Sequence, residues 1–223
     1  MNVISFTVWL LESNCFIVYT VMIVFFVVFT MFHKNRLERN QNRIGAKKKF
    51  ATLDNSKGTS PSGAHTEPWT FVVVQDPETK SAIRTIVEEE EELNYSRRMS
   101  RQWVVDLKPF STNYIKPYLS EAPAIILMFR QSYSWRNDGK KRMHYYNEIS
   151  VAIAAGFLLA AVQYCGLVAL TSTPLNCNSR LRDLFSRPPN ERLELLLPIG
   201  RPHPKTTVPD IRRKNLEQIM VNV

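Results

Sequence analysis

A chain of 223 residues, of which 44% are hydrophobic and 22% charged, is long enough for one domain with its own core and a further segment outside it. Its net charge of +9 would suit nucleic acid, but the segment from His33 to Lys49 holds seven basic residues and one acid, and thus +6 of that charge. No nucleic-acid-binding motif accompanies this segment, so we exclude nucleic acid as a partner. Three cysteines without a CxxC pair or paired histidines predict neither a disulfide framework nor a metal site.

The first predicted element is a membrane anchor. Residues 15–32 form an uncharged run that reaches the lower length bound for a helix crossing a bilayer. A cleaved signal peptide is disfavoured because the basic residues follow the apolar run instead of preceding it. We therefore predict a single-pass anchor in residues 1–33 and a basic juxtamembrane linker in residues 34–60. The positive-inside rule places this linker, and the folded part of the chain that follows it, in the cytosol.

The folded domain is predicted to span residues 61–223 and to open with the loop PSGAHTEPW, residues 61–69. Gly63 is expected to adopt backbone angles that a side chain forbids, so that backbone N–H groups can approach a flat or anionic ligand. A tight turn before a strand is the alternative interpretation of such a loop.

The rest of the domain alternates helices and β-rich runs, which indicates an α/β or α+β fold. An irregular aromatic and basic stretch, Tyr95–Lys116, is interpreted as a lid or a partly ordered excursion. In chain order we predict a buried strand Thr70–Gln75, a helix capped by Asp76 with Pro77 in its first turn, a strand Ala124–Phe129, a helix Tyr146–Cys165 ended by Gly166, a strand Leu167–Thr171, a helix Ser179–Phe185, a strand Leu193–Ile199 and a proline-rich tail.

Three groups of polar residues have two interpretations each. Glu91 and Tyr95 are four residues apart and share one helix face, but five consecutive glutamates at 88–92 more often form a solvated surface. The Thr-Ser-Thr run at 171–173 is more often a strand end than a ligand site. The basic run at 212–214 is more often a solvated patch than a phosphate site.

Five segments in order, PSGAHTEPW, EEEEELNY, HYYNEIS, TPLNC and the terminal QIMV, resemble the iodotyrosine deiodinase family of the nitroreductase superfamily. The resemblance covers Gly58 to Val223. It implies an α+β fold with a mixed sheet flanked by helices, and FMN as the cofactor. It also implies an intertwined homodimer with FMN at the subunit interface, in which the proline-rich C-terminal tail is exchanged between subunits.

The resemblance also implies the site residues. For FMN it points to Ser62, Gly63, Thr171, Ser172, Thr173 and Arg213. Thr173 is the implied catalytic residue, with its hydroxyl near the flavin N5 favouring one-electron steps, while Arg213 offers a forked donor set suited to phosphate. For substrate it points to Ala64, Glu91, Tyr95 and Lys116. Glu91 would bind the α-ammonium group of an amino acid, and Lys116, helped by Tyr95, its α-carboxylate.

The implied function is FMN-dependent reductive dehalogenation of mono- and diiodotyrosine, with NADPH as the ultimate electron source through a separate reductase. Two alternatives stay open: a nitroreductase or quinone reductase with loose aromatic specificity, and a non-catalytic membrane-anchored interaction protein. The non-catalytic interaction protein is favoured by one departure from the family pattern. An arginine-rich phosphate-binding motif that the family places before the PSGAH loop has no counterpart between Phe50 and Ser60. On this basis the sequence predicts an N-terminally shortened FMN domain.

Overall fold

The computed structural model describes residues 59–223, so the predicted anchor and nearly all of the predicted linker lie outside the described residues. Six strands are described: β1 (Trp69–Val74), β2 (Ala124–Gln131), β3 (Tyr133–Trp135), β4 (Lys141–Met143), β5 (Val168–Ala169) and β6 (Glu191–Gly200). The α-helices are α1 (Pro77–Leu93), α2 (Arg101–Asp106), α3 (Tyr118–Glu121), α4 (Asn147–Tyr164) and α5 (Asn178–Leu184). Short 3-10 turns occupy Gly63–His65, Lys108–Phe110 and Leu216–Gln218, and a π-helical turn, Asn94–Arg98, follows α1.

The main sheet has four strands in the order β1-β2-β6-β5. The ladders β1–β2, β2–β6 and β5–β6 all run antiparallel, so the parallel pair that a mixed sheet requires does not occur among the described strands. The predicted α+β class is confirmed. Strand β2 is the centre of the core, because every side chain from Ala124 to Phe129 is fully buried.

Each face of the sheet packs against a helix, as the alternation of side chains along β2 requires. On one face Ile125 and Phe129 pack with Ile83 of α1. On the other face Met128 packs with Val151 and the small residues of α4. The two helices thereby fix both ends of the candidate site, since α1 leads into the lid and α4 begins beside the PSGAH loop.

The two helix caps predicted from the sequence, Asp76 and Gly166, are confirmed. The Asp76 carboxylate accepts the backbone N–H of Thr79 at 2.7 Å, with Pro77 in the first turn. Gly166 has a φ of 64° directly after α4 and its N–H donates to Gln163, which is the expected glycine cap.

Three expectations need correction. The strand expected at Leu167–Thr171 is only Val168–Ala169, followed by an isolated bridge from Ser172 to Leu196. The lid at Tyr95–Lys116 contains a short helix and two other helical turns, so it is more regular than its sequence indicated. The basic stretch before α4 forms the second strand of the β3–β4 hairpin, which the sequence did not predict.

Two exposed regions complete the description. Helix α4 is the one described helix that is long and apolar enough by composition to cross a bilayer, and a third of it is buried in the fold. All residues of the tail from 201 to 223 are exposed.

Candidate active site

The PSGAH loop is held by the start of α4, and Gly63 has a different role from the one predicted. Its backbone does not adopt a positive φ; that conformation belongs to Ala64 and His65, both at 50°. A Cβ on Gly63 would lie 3.2 Å from the Tyr146 side chain, and the Gly63 N–H donates to the Ser150 hydroxyl at 3.1 Å. The close packing of the loop against α4 therefore favours glycine at this position, and its N–H already has a partner within the chain.

The neighbours of Gly63 are fixed by two further hydrogen bonds. The Ser62 hydroxyl oxygen accepts the backbone N–H of Glu67 at 3.0 Å, which leaves the hydroxyl hydrogen free to be donated. The carbonyl oxygen of Ala64 accepts a 3.4 Å hydrogen bond from Arg142 on the β3–β4 hairpin. The loop is thus attached to both the helix and the hairpin.

Three of the four predicted substrate residues, Glu91, Tyr95 and Lys116, lie together. The Lys116 ammonium is 3.7 Å from a Glu91 carboxylate oxygen and 5.6 Å from the centre of the Tyr95 ring. It donates to the Thr112 hydroxyl at 3.0 Å, and that hydroxyl is also hydrogen-bonded to Tyr95. Glu91 is only 8% exposed and Lys116 6%. We call these three residues the clamp.

Burial shifts the pKa values of two clamp residues, Lys116 and Tyr95. Burial lowers the pKa of the Lys116 ammonium, and the nearby carboxylate of Glu91 offsets this only in part. Burial also raises the pKa of Tyr95, against the opposing hydrogen bond from Thr112, and the charge of Glu91 adds to the rise. Tyr95 therefore remains a neutral hydroxyl at physiological pH.

Asn94 is a residue of this site that sequence reasoning missed. It is 1% exposed, and its amide nitrogen donates to a Glu91 carboxylate oxygen at 3.2 Å and to the Leu175 carbonyl at 3.5 Å. Its amide oxygen accepts a hydrogen bond from Asn176 at 3.0 Å. Asn94 thus joins the EEEEELNY and TPLNC segments, and its position one helical turn after Glu91 was the available signal.

The Thr-Ser-Thr run lies next to the clamp. Ser172 exchanges two backbone hydrogen bonds with Leu196, which fixes the segment to the sheet. The Ser172 side chain lies near the hydroxyl of Tyr118, which stands two residues after Lys116. Burial, with a smaller contribution from Glu91, raises the pKa of Tyr118 to about 12. Thr171 and Thr173 are exposed, so their hydroxyls can receive a ligand.

Two further residues, Arg213 and Cys177, lie outside the clamp. Arg213 is exposed in the tail, which leaves its guanidinium accessible to an anion. Cys177 is buried, and burial followed by the charge of nearby Glu90 raises the pKa of its thiol to about 12. This thiol therefore stays protonated and is no nucleophile. Within residues 59–223, no group of His, Cys, Asp and Glu side chains is arranged to hold a metal ion.

The donor set fits FMN in its chemistry. Hydroxyls at Ser62, Thr171 and Thr173 can bond the polar edge of an isoalloxazine ring, and the Arg213 guanidinium can pair with a phosphate. Gly63 contributes shape, since its own N–H is engaged by Ser150.

Comparison with known proteins gives concordant results. The sequence model of the Nitroreductase family matches residues 45–201. The human protein "Iodotyrosine deiodinase 1" is 61% identical over 166 residues, which cover 74% of this chain and 57% of the human protein. "Iodotyrosine deiodinase" of Hydra vulgaris is 60% identical over 164 residues, covering 74% of this chain and 60% of that protein. The matched part thus spans less than two thirds of these curated relatives.

Solved structures agree with the sequence matches. A crystal structure of oxidized iodotyrosine deiodinase bound to FMN and 3-iodo-L-tyrosine superposes with a TM-score of 0.66 at 27% identity, covering 79% of this chain and 86% of that chain. A BluB-like flavoprotein from Clostridium difficile 630 superposes with a TM-score of 0.60 over 79% of this chain and 89% of that one, but at 16% identity it supports the fold alone. With the family match over most of the chain, these results establish that the chain belongs to the nitroreductase family.

Proposed function

We propose that the chain is an FMN-dependent reductive deiodinase of mono- and diiodotyrosine. The observation that carries this proposal is the clamp, in which buried Glu91 and Lys116 lie 3.7 Å apart, beside Tyr95. A ligand with one positive and one negative group can insert between Glu91 and Lys116, so that its positive group contacts Glu91 and its negative group contacts Lys116. An α-amino acid has such groups, whereas a generic nitroaromatic or quinone has neither.

Substrate recognition follows from the charges of the clamp. Glu91 binds the α-ammonium group, while Lys116 binds the α-carboxylate with the Tyr95 hydroxyl as a second donor. Both charged side chains are already buried, so most of their desolvation cost is incurred during folding and not on binding. The backbone of Ala64, fixed by its bond from Arg142, forms the side of the substrate site next to the flavin loop.

FMN is held in this proposal by Ser62, Gly63, Thr171, Ser172, Thr173 and Arg213. Reduced FMN supplies two electrons that, with one proton, replace the carbon–iodine bond by a carbon–hydrogen bond and release iodide. The exposed Thr173 hydroxyl is the candidate catalytic group near the flavin N5. NADPH, acting through a separate reductase, is the proposed source of the electrons.

A homodimer is part of the proposal. Ile149, Ile153 and Phe157 follow each other at intervals of four residues along α4, and all three are exposed. Such an apolar row on one helix face is typical of a subunit interface. The exposed tail, residues 201–223, is proposed to cross to the second subunit and carry Arg213 to the flavin phosphate there. The uncharged run at 15–32 is proposed to anchor each subunit in a membrane, with the catalytic domain in the cytosol.

Anaerobic turnover tests the proposed function. The full chain loaded with FMN is given dithionite and 3-iodotyrosine, and iodide and tyrosine are quantified. We expect equal amounts of the two products, in excess of the enzyme. Reduction of a nitroaromatic or a quinone without release of iodide would instead favour the broad reductase, and failure to bind FMN would favour the non-catalytic alternative.

A further inference from the structure

One face of α1 is attached to the segment that follows the lid, residues 116–122. At the start of this face, the buried Lys80 ammonium donates to the carbonyl oxygens of Ser120 at 3.3 Å and Ala122 at 2.7 Å. These carbonyls end the short helix α3 and have no partner further along it, so the lysine acts as a cap. The far end of the segment is thereby fixed to the core.

One turn further along α1, Arg84 and Glu88 form the next attachment. The Arg84 guanidinium donates to the Glu88 carboxylate at 2.8 Å and to the Ser120 hydroxyl at 2.9 Å. The same Glu88 oxygen accepts the backbone N–H of Lys116 at 2.6 Å. Glu88 therefore holds the first residue of the segment by its backbone, while Arg84 fixes the orientation of the Glu88 carboxylate.

The attached segment carries groups on both sides of the candidate site. Lys116 faces the clamp carboxylate of Glu91, and Tyr118 lies near Ser172, one of the residues proposed to bind FMN. A displacement of the Lys116 backbone would move its ammonium relative to Glu91. The lid contacts the Lys116 side chain through the Thr112 hydroxyl, whereas the Lys116 backbone is held by α1, which packs on the sheet through Ile83.

We propose that Glu88 is a positioning residue for substrate recognition: its carboxylate holds the Lys116 backbone so that the ammonium is in place before the amino acid arrives. This role rests on the proposed function. It differs from the role of Glu91, because Glu88 contacts Lys116 through the backbone and acts on the ligand only through that residue. Pre-organised contacts of this kind raise affinity because the ligand does not have to order the protein.

The test compares variants of the full chain loaded with FMN. Glu88→Ala removes the acceptor of the Lys116 N–H, whereas Glu88→Gln keeps an oxygen that can accept it. Glu89→Gln is the matched control, since Glu89 lies on the same helix as Glu88 and forms an exposed ion pair with Arg180 of α5. Affinities for 3-iodotyrosine, iodophenol and FMN are measured by flavin fluorescence, and hydrogen exchange of peptides around Lys116 is measured without ligand.

We expect Glu88→Ala to weaken 3-iodotyrosine binding about tenfold, as for loss of one hydrogen bond to a charged group. FMN and iodophenol binding should be unchanged. Glu88→Gln should recover most of the loss, and Glu89→Gln should behave like the wild type. Exchange around Lys116 should be faster in Glu88→Ala, while peptides from β2 keep their protection.

Two results would overturn the proposal. Unchanged exchange and unchanged 3-iodotyrosine affinity in Glu88→Ala would show that the carboxylate does not hold Lys116. An equal loss for 3-iodotyrosine, iodophenol and FMN would show that Glu88 only supports the fold. If the wild type fails to bind 3-iodotyrosine, the proposed function fails, and with it the role of Glu88 in recognition; the exchange measurement still decides whether Glu88 holds the Lys116 backbone.

Discussion

Replacing Glu91 by Gln should selectively weaken the binding of amino-acid ligands. The substitution removes the charge but keeps the shape and the oxygen that accepts the Asn94 amide at 3.2 Å. The fold should therefore be retained. Iodophenol has the iodinated ring without the charged groups, so its binding should not depend on Glu91.

The structure sets the size of the effect. Removing one partner of a buried, hydrogen-bonded charge pair costs about 2–5 kcal/mol. Glu91 is also paired with Lys116 before the ligand binds, at 3.7 Å, and the substitution removes that contact too. Because this lost contact in the free protein offsets part of the loss in the complex, we expect about 2–3 kcal/mol, or about 30- to 150-fold in affinity.

Quenching of flavin fluorescence measures both ligands on the FMN-loaded chain. The matched control is Glu92→Gln, the same change at the next residue of α1, where the side chain is exposed. It should change either affinity by less than about twofold. Equal losses for iodotyrosine and iodophenol in Glu91→Gln would refute the reasoning, because Glu91 would then support the fold instead of the ligand. No loss for either ligand would show that the glutamate run at 88–92 is only a solvated helix face.

The remaining predictions concern stability, assembly and FMN. Asn94→Ala should lower the free energy of unfolding by about 1–3 kcal/mol in urea titrations, because its buried partners lose their hydrogen bonds, and a wild-type stability would contradict this. Burial would raise the pKa of Glu191, but hydrogen bonds from Arg187 and Thr70 outweigh it and lower this pKa. The ionised carboxylate therefore stabilises the fold above its ordinary pKa of about 4.3, and this stabilisation is lost as the pH falls through the lowered pKa. Glu191→Gln should accordingly make the melting temperature less dependent on pH in the acid range. Ile153→Glu on the exposed face of α4 should yield monomers in light scattering, and an unchanged mass would place the interface elsewhere. Arg213→Ala should weaken FMN binding by about 1.5–3 kcal/mol in a flavin titration, and an unchanged affinity would show that Arg213 does not bind the phosphate.

Features with a local cause could be predicted from the sequence. The Asp76 cap and the Gly166 cap each depend on residues within one turn, and the apolar run at 124–129 is central because it is buried on both faces. Gly63 was identified for the wrong reason. The sequence showed a glycine in a turn, but what favours glycine here is its close approach to Tyr146, which is distant in the chain.

Contacts within the site depended on the resemblance to a known family. Lys116 is separated from Glu91 by an irregular stretch, and no periodicity relates their positions. The bonds from the Lys116 backbone to Glu88 and from Asn94 to the Leu175 carbonyl are long-range contacts that no local pattern contains. Only the spacing of Asn94 from Glu91 was a local signal. The short strand β3 was missed because an alternation of only three residues, Tyr133–Trp135, is too short to distinguish a strand from a turn. In the fold it is supported by Lys141, whose ammonium lies 4.4 Å from the Tyr133 ring centre.

Anaerobic titration of the pre-reduced, FMN-loaded protein with 3-iodotyrosine tests the central claim most directly. Flavin absorbance and free iodide are recorded in the same cuvette. The account predicts that the oxidised flavin spectrum returns with one iodide released for each flavin, since the two electrons of the reduced flavin go to the carbon–iodine bond. It would be contradicted if the flavin stays reduced with 3-iodotyrosine and is reoxidised only by a nitroaromatic or a quinone.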